Sequence, residues 1–165
     1  MKTTERVFIF NVGLTTGALL LGYALIGLWI SAPFFLLLGV LWMVGWRRNW
    51  GVASLLLFCF LAAAAVGVLM GVWPGWMYLG VIASLCAWDL EGFRKGIKGG
   101  WRAESVPEME RQHLRRLGLV SGAGLLLGAA AMLVRVRFAF GLVLLVSLLA
   151  VWGITGIVRG ARRDY

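Results

Sequence analysis

The sequence predicts an all-α integral membrane protein: a polytopic bundle of six transmembrane helices arranged as three hairpins. Three observations predict it. Apolar residues fill 61% of the 165 positions before the 23 glycines are counted, against ~45–50%, glycine included, for a soluble domain. A water-soluble fold of this length cannot hide so much apolar surface, whereas lipid can cover it. The apolar residues also come in runs separated by turns or charges, and only helices or closed barrels satisfy their own backbone inside hydrocarbon. Finally, if all six runs cross, 14 of the 16 Lys/Arg fall on one face and only Arg135 and Arg137 on the other. That split is what the positive-inside rule expects, and it puts both termini in the cytoplasm, with the cytoplasmic membrane as the location.

The first run spans residues 7–30, behind the basic Lys2 and Arg6. It is too long for the h-region of a signal peptide, so it reads as an uncleaved span. Its 24 residues reach about 36 Å as a helix. Ser31-Ala32-Pro33 forms a turn, and Pro33 suits the first turn of the next helix, where its missing N–H is no loss. The second span, 33–50, crosses only if Arg47 and Arg48 snorkel into the headgroups. The third covers 52–72. Trp73-Pro74-Gly75 is a turn by composition. The fourth, 76–90, opens into a charged loop, 91–116. The fifth covers 117–134 and the sixth 138–158, joined by the short Arg135-Val136-Arg137 turn. The whole chain, 1–165, is one domain.

The stretch Trp88–Arg116 holds seven Lys/Arg, five Asp/Glu and the only histidine. Leu90, Phe93 and Ile97 share a helical face, with Arg94, Lys95 and Lys98 around the other side. This predicts that the fourth span leaves the membrane as an amphipathic helix lying on the headgroups. Gly99-Gly100 breaks it. Ser105-Val106-Pro107-Glu108 reads as a capping box, so the fifth helix begins near Val106, before the bilayer. Glu91 and Lys95 form an ordinary i,i+4 pair.

The candidate sites follow from these placements. Arg94, Lys95, Lys98, Arg102, Arg111, Arg115 and Arg116 are the expected contacts to anionic lipid headgroups or a protein partner. Asp89 is the acid nearest the hydrocarbon, where an uncompensated charge is costly. It is expected in an interfacial ion pair with Arg47 or Arg48, or else in an ion site. Small residues at four-residue spacing let helices approach closely: Gly13/Gly17, Gly67/Gly71, Gly118/Gly122 and Gly124/Gly128. They place the first, third and fifth spans at the bundle centre and offer faces for a homo-oligomer. Cys59 and Cys86 fall inside apolar runs and read as packing residues.

No catalytic constellation is evident. Asp89 and Glu91 diverge on a helix, so they cannot share a metal. His113 lies among Arg111, Arg115 and Arg116 and reads as a solvated helix residue. Neither cofactor nor metal is expected. The net charge of +9 reflects topology rather than a nucleic-acid surface, because the basic residues lie between the runs. The leading expectation is therefore a non-enzymatic accessory or scaffold subunit that presents a basic cytoplasmic loop to anionic lipid or a protein partner. The alternative is a small transporter or channel with a polar path near Asn11, Thr15 and Asp89. A weaker one is an interfacial lipid-modifying enzyme using Asp89, Glu91 or His113.

Overall fold

Three helices in succession end in the same way, and this sets the layout. In the computed structural model, which describes residues 2–98 and 106–133, α1 (Lys2–Leu25) stops at Gly27, which adopts a positive φ of 83°. The amides of Leu28 and Gly27 donate to Tyr23 and Ala24, the paired bonds of a Schellman motif. α2 (Ala32–Arg48) ends identically on Asn49, φ 57°, and α3 (Ala53–Leu69) on Gly71, φ 87°. All three helices therefore stop inside the spans expected at 7–30, 33–50 and 52–72. A 3-10 turn, Trp29–Ser31, leads into α2, and Pro33 sits in its first turn.

α4 (Pro74–Lys98) starts at Pro74, inside the stretch expected to be a turn. It runs without a break through the fourth apolar run and into the charged stretch. α5 (Val106–Leu133) begins where the capping box predicted; Ser105 itself lies outside the described residues. So do Arg102, Arg135, Arg137 and the sixth run at 138–158. Helices α1, α2 and α5 contain segments long and apolar enough to cross a membrane, and α3 is a shorter apolar helix. No strand occurs among the described residues. The chain divides into two compact units, 1–130 and 131–165, and of the second only the last residues of α5 are described.

Within the first unit, successive helices run antiparallel. Phe8 meets Trp46 and Tyr23 meets Phe35 between α1 and α2. Trp88 bonds Ser54, while a Cβ on Gly67 would touch Met77, between α3 and α4. α1 and α4 form the central pair. The buried face of α4 is Met77, Gly80, Ala83, Ser84, Ala87 and Leu90. Gly80/Ser84 and Ala83/Ala87 are small pairs at four-residue spacing, which lets α1 approach α4 closely. Among the described residues α1 thus packs mainly on α4 rather than on α3, the neighbour that the glycine spacing suggests. From Arg111 to Met132 no residue of α5 is fully buried. Small spacing marks where a helix can be approached, not whether another helix takes the place.

The core is aromatic at one end. Phe8 stacks on Trp46 with ring centres 3.9 Å apart, and Trp42 stacks on Phe60 at 5.5 Å. Buried aromatic side chains remove the largest apolar areas from solvent, and offset pairs add about 0.5–1.5 kcal/mol beyond that. These rings form an aromatic plug among α1, α2 and α3 next to the charged residues.

Candidate functional site: the charged end and the groove between α4 and α5

Every Asp, Glu, Lys and Arg among the described residues lies at one end of the bundle. The start of α1, the end of α2, the end of α4 and the start of α5 meet there. The opposite end carries Trp29, Trp73 and Trp76 and, among the described residues, no formal charge. Exposed Trp at such a level is what a membrane–water boundary selects.

Several of these charges are used within the fold. Glu91 is 3% exposed. One carboxylate oxygen accepts the indole N–H of Trp42 at 3.1 Å, and Lys95 Nζ lies 2.8 Å from the other. Arg94 lies over the Trp46 ring, 4.2 Å from its centre, and donates to the Trp46 carbonyl at 2.7 Å. That carbonyl is in the last turn of α2, where a cation meets the negative end of the helix dipole. Thr4 donates to Glu110 through both its amide, at 3.0 Å, and its hydroxyl, which ties α1 to α5.

These contacts alter the expected lipid-binding set. Arg94 and Lys95 are engaged by Trp46 and Glu91. The apolar face of Leu90, Phe93 and Ile97 turns onto protein: Leu90 is buried, Phe93 stacks on His113, and Phe93 and Ile97 line a small cavity with Thr4 and Trp46. Residues of α5 and the end of α2 lie against this face. Arg47, Arg48, Arg111, Arg115 and Arg116 are exposed. Arg102 and the side chain of Lys98 lie outside the described residues.

Asp89 meets His113, not Arg47 or Arg48. Its Oδ2 is 2.8 Å from His113 Nε2, with the carboxylate side chain 45% exposed. The imidazole lies flat on Phe93, ring centres 4.0 Å apart and planes within 4°. His113 is thus half-buried and held on two sides rather than solvated. Sequence spacing places Asp89 level with Arg47 and Arg48, but depth along the bundle does not say which neighbour a side chain faces.

A groove of about 530 Å³ runs between α4 and α5 from this pair toward the bundle middle. Leu85, Trp88, Leu117 and Val120 supply apolar walls, and Asp89, His113 and Arg116 form the polar end. Cys86 and Ser121 face each other across the floor at 2.9 Å and satisfy one another. Beyond the groove, the Tyr78 hydroxyl donates to the Gly124 carbonyl at 2.5 Å, and the Tyr78 ring occupies the space a Cβ on Gly128 would need. Comparison with protein-family models, curated proteins and solved structures returned no match. The site therefore speaks only through its own chemistry.

The other residues expected to matter take varied places. Gly67 contacts Met77 and Tyr23. A Cβ on Gly13, Gly17, Gly118 or Gly122 would meet nothing within 4 Å among the described residues. Gly71 serves as the helix stop. Asn11 and Thr15 each bond a carbonyl of their own helix, at 2.8 and 2.9 Å, and do not reach Asp89. No group of three or more His, Cys, Asp or Glu suited to a metal occurs among the described residues. Among the contacts that sequence reasoning missed are Trp42–Glu91, Arg94–Trp46 and Asp89–His113. A signal existed for the first: Glu91 follows directly on the apolar run that ends at Leu90, and an acid and an indole near the ends of neighbouring runs each need a partner.

Proposed function

We propose that this chain is a multi-pass membrane protein of six spans in three hairpins, with both termini cytoplasmic. Its role is that of a non-enzymatic accessory or scaffold subunit whose basic end meets anionic headgroups. The observation that carries this reading is the segregation of charge: all charged residues described lie at one end, and Arg47, Arg48, Arg111 and Arg115 are exposed there. Each basic side chain near an anionic surface contributes about 1 kcal/mol, less as salt rises. The buried rings of Phe8, Trp42, Trp46 and Phe60 fill the space among α1, α2 and α3 beside that end, which favours this role over passage of a solute there.

A second reading, an interfacial lipid enzyme, draws support from Asp89 and His113. A carboxylate beside an imidazole at the mouth of a groove is an arrangement suited to general-base work. It has no nucleophile or electrophilic group assigned to it, so it stands behind the first.

Two measurements test the leading reading. In a background with Cys59 and Cys86 replaced by Ala, single cysteines at Ala32, Gly75 and Val136 are to be labelled from outside by an impermeant thiol reagent, and one at Ala103 is not. The reverse pattern inverts the topology. In bilayers of phosphatidylcholine with a small fraction of labelled phosphatidylglycerol, energy transfer from tryptophan reports lipid enrichment around the protein. The enrichment is expected to fall with salt and with Arg47, Arg48, Arg111 and Arg115 replaced by Gln. Enrichment that ignores both changes removes the basic end as a lipid-binding surface.

A further inference from the structure

We propose that the groove between α4 and α5 seats one anionic phospholipid, with the phosphodiester at Arg116 and an acyl chain along Leu85, Leu117 and Val120. The proposal rests on the reading of the chain as a membrane bundle, and it adds a discrete site to a diffuse surface.

The groove is polarised along its length. Its walls are mostly apolar, and its ionisable side chains, Asp89, His113 and Arg116, sit together at the end where all the described charges of the bundle lie. An amphiphile in a membrane has the same division, with a polar head at the boundary and a hydrocarbon tail below it. The groove volume of about 530 Å³ falls within the roughly 300–1,000 Å³ typical of small-molecule sites.

Charge at the mouth selects an anion. Asp89 is engaged by His113 at 2.8 Å. Arg116 is exposed, and no hydrogen bond or ion pair holds it among the described residues. The groove mouth thus presents a guanidinium with no described carboxylate in ion-pair contact, whose planar fork matches two oxygens of a phosphate. A singly charged phosphodiester, as in phosphatidylglycerol, balances it. A zwitterionic headgroup brings a second cation beside that guanidinium.

The floor of the groove asks for nothing polar. Cys86 and Ser121 satisfy each other, so a tail lying over them leaves no buried donor or acceptor without a partner.

The test is native mass spectrometry of the full-length protein, delipidated in mild detergent and titrated with phosphatidylglycerol or phosphatidylcholine. Wild type is expected to saturate with one phosphatidylglycerol per chain and to hold it several-fold more tightly than phosphatidylcholine. Arg116→Gln lowers the phosphatidylglycerol affinity about five-fold, the worth of one arginine near an anionic group, and leaves phosphatidylcholine unchanged. Arg6→Gln, a charge-matched change on α1, leaves both unchanged. Val120→Trp adds bulk at an exposed wall position and weakens both lipids, with an unaltered melting curve showing that the bundle is intact. Competition by millimolar inorganic phosphate would overturn the proposal in favour of a plain anion site. So would equal effects of the two arginine changes, or no saturable one-to-one species. One-to-one retention without salt-screened enrichment would leave the groove and remove the surface reading; enrichment without retention would do the opposite.

Discussion

The indole N–H of Trp42 donates to the carboxylate of Glu91 at 3.1 Å, between two buried side chains 49 positions apart in the chain. The bond joins the charged stretch of α4 to the middle of the aromatic plug. A carboxylate in that setting is stable only while its oxygens have partners, because the desolvation penalty is otherwise uncompensated.

Trp42→Phe keeps a ring against Phe8 and Phe60 and removes the donor. It is expected to destabilise the bundle by about 1–3 kcal/mol, the penalty for an unsatisfied buried acceptor. Glu91→Gln retains an oxygen for the indole and is expected to cost less. Thermal unfolding in detergent ranks the two. A larger loss from Glu91→Gln would assign the stability to the Lys95 contact instead.

Arg94 combines a stack on Trp46 with a bond to its carbonyl. Lysine reproduces the charge but not the flat surface and the fork together. Arg94→Lys is therefore expected to lose about 1 kcal/mol of stability, well short of neutrality although the charge is kept. Equal melting temperatures for Arg94→Lys and wild type would reduce the residue to a simple helix-end cation.

The Asp89–His113 contact is half-exposed, so its coupling is expected to be small. A double-mutant cycle with Asp89→Asn and His113→Gln is expected to give about 0.2–1 kcal/mol. The matching cycles of Asp89 with Arg47 or Arg48 are expected to be additive within ~0.3–0.5 kcal/mol. Coupling to either arginine larger than that to His113 would restore the pairing that sequence alone suggests.

Gly71 has a positive φ of 87°, whereas a Cβ on Gly118 meets nothing within 4 Å. Gly71→Ala is expected to cost about 1–2 kcal/mol because a Cβ strains that backbone conformation. Gly118→Ala is expected to change stability by less than ~0.5 kcal/mol. A marked loss at Gly118, with a change in oligomer size on a sizing column, would show that the Gly118 face of α5 is an interface.

Some features were legible in the residues themselves. The apolar runs, the concentration of charge in Trp88–Arg116, the helix start at Val106 and the Glu91–Lys95 contact follow from composition and spacing. These are local properties, set by side chains within a turn or two of one another. Helix stops were less legible. Gly27 ends α1 inside a run expected to continue to residue 30, because a left-handed residue terminates a helix whatever the polarity around it.

The tertiary structure alone decided the partners. Periodicity shows that Leu90, Phe93 and Ile97 share a face, but not that protein rather than headgroups covers it. Charge pattern places Asp89 near the boundary, but not that His113 answers it while Arg94 turns back onto Trp46. The glycine spacing marks α1, α3 and α5 as approachable, yet α4, through Gly80, Ala83, Ser84 and Ala87, takes the seat beside α1 and lines a groove with α5. The physical reason is the same in each case: a sequence records what each face can accept, and packing in three dimensions decides which of the acceptable neighbours arrives.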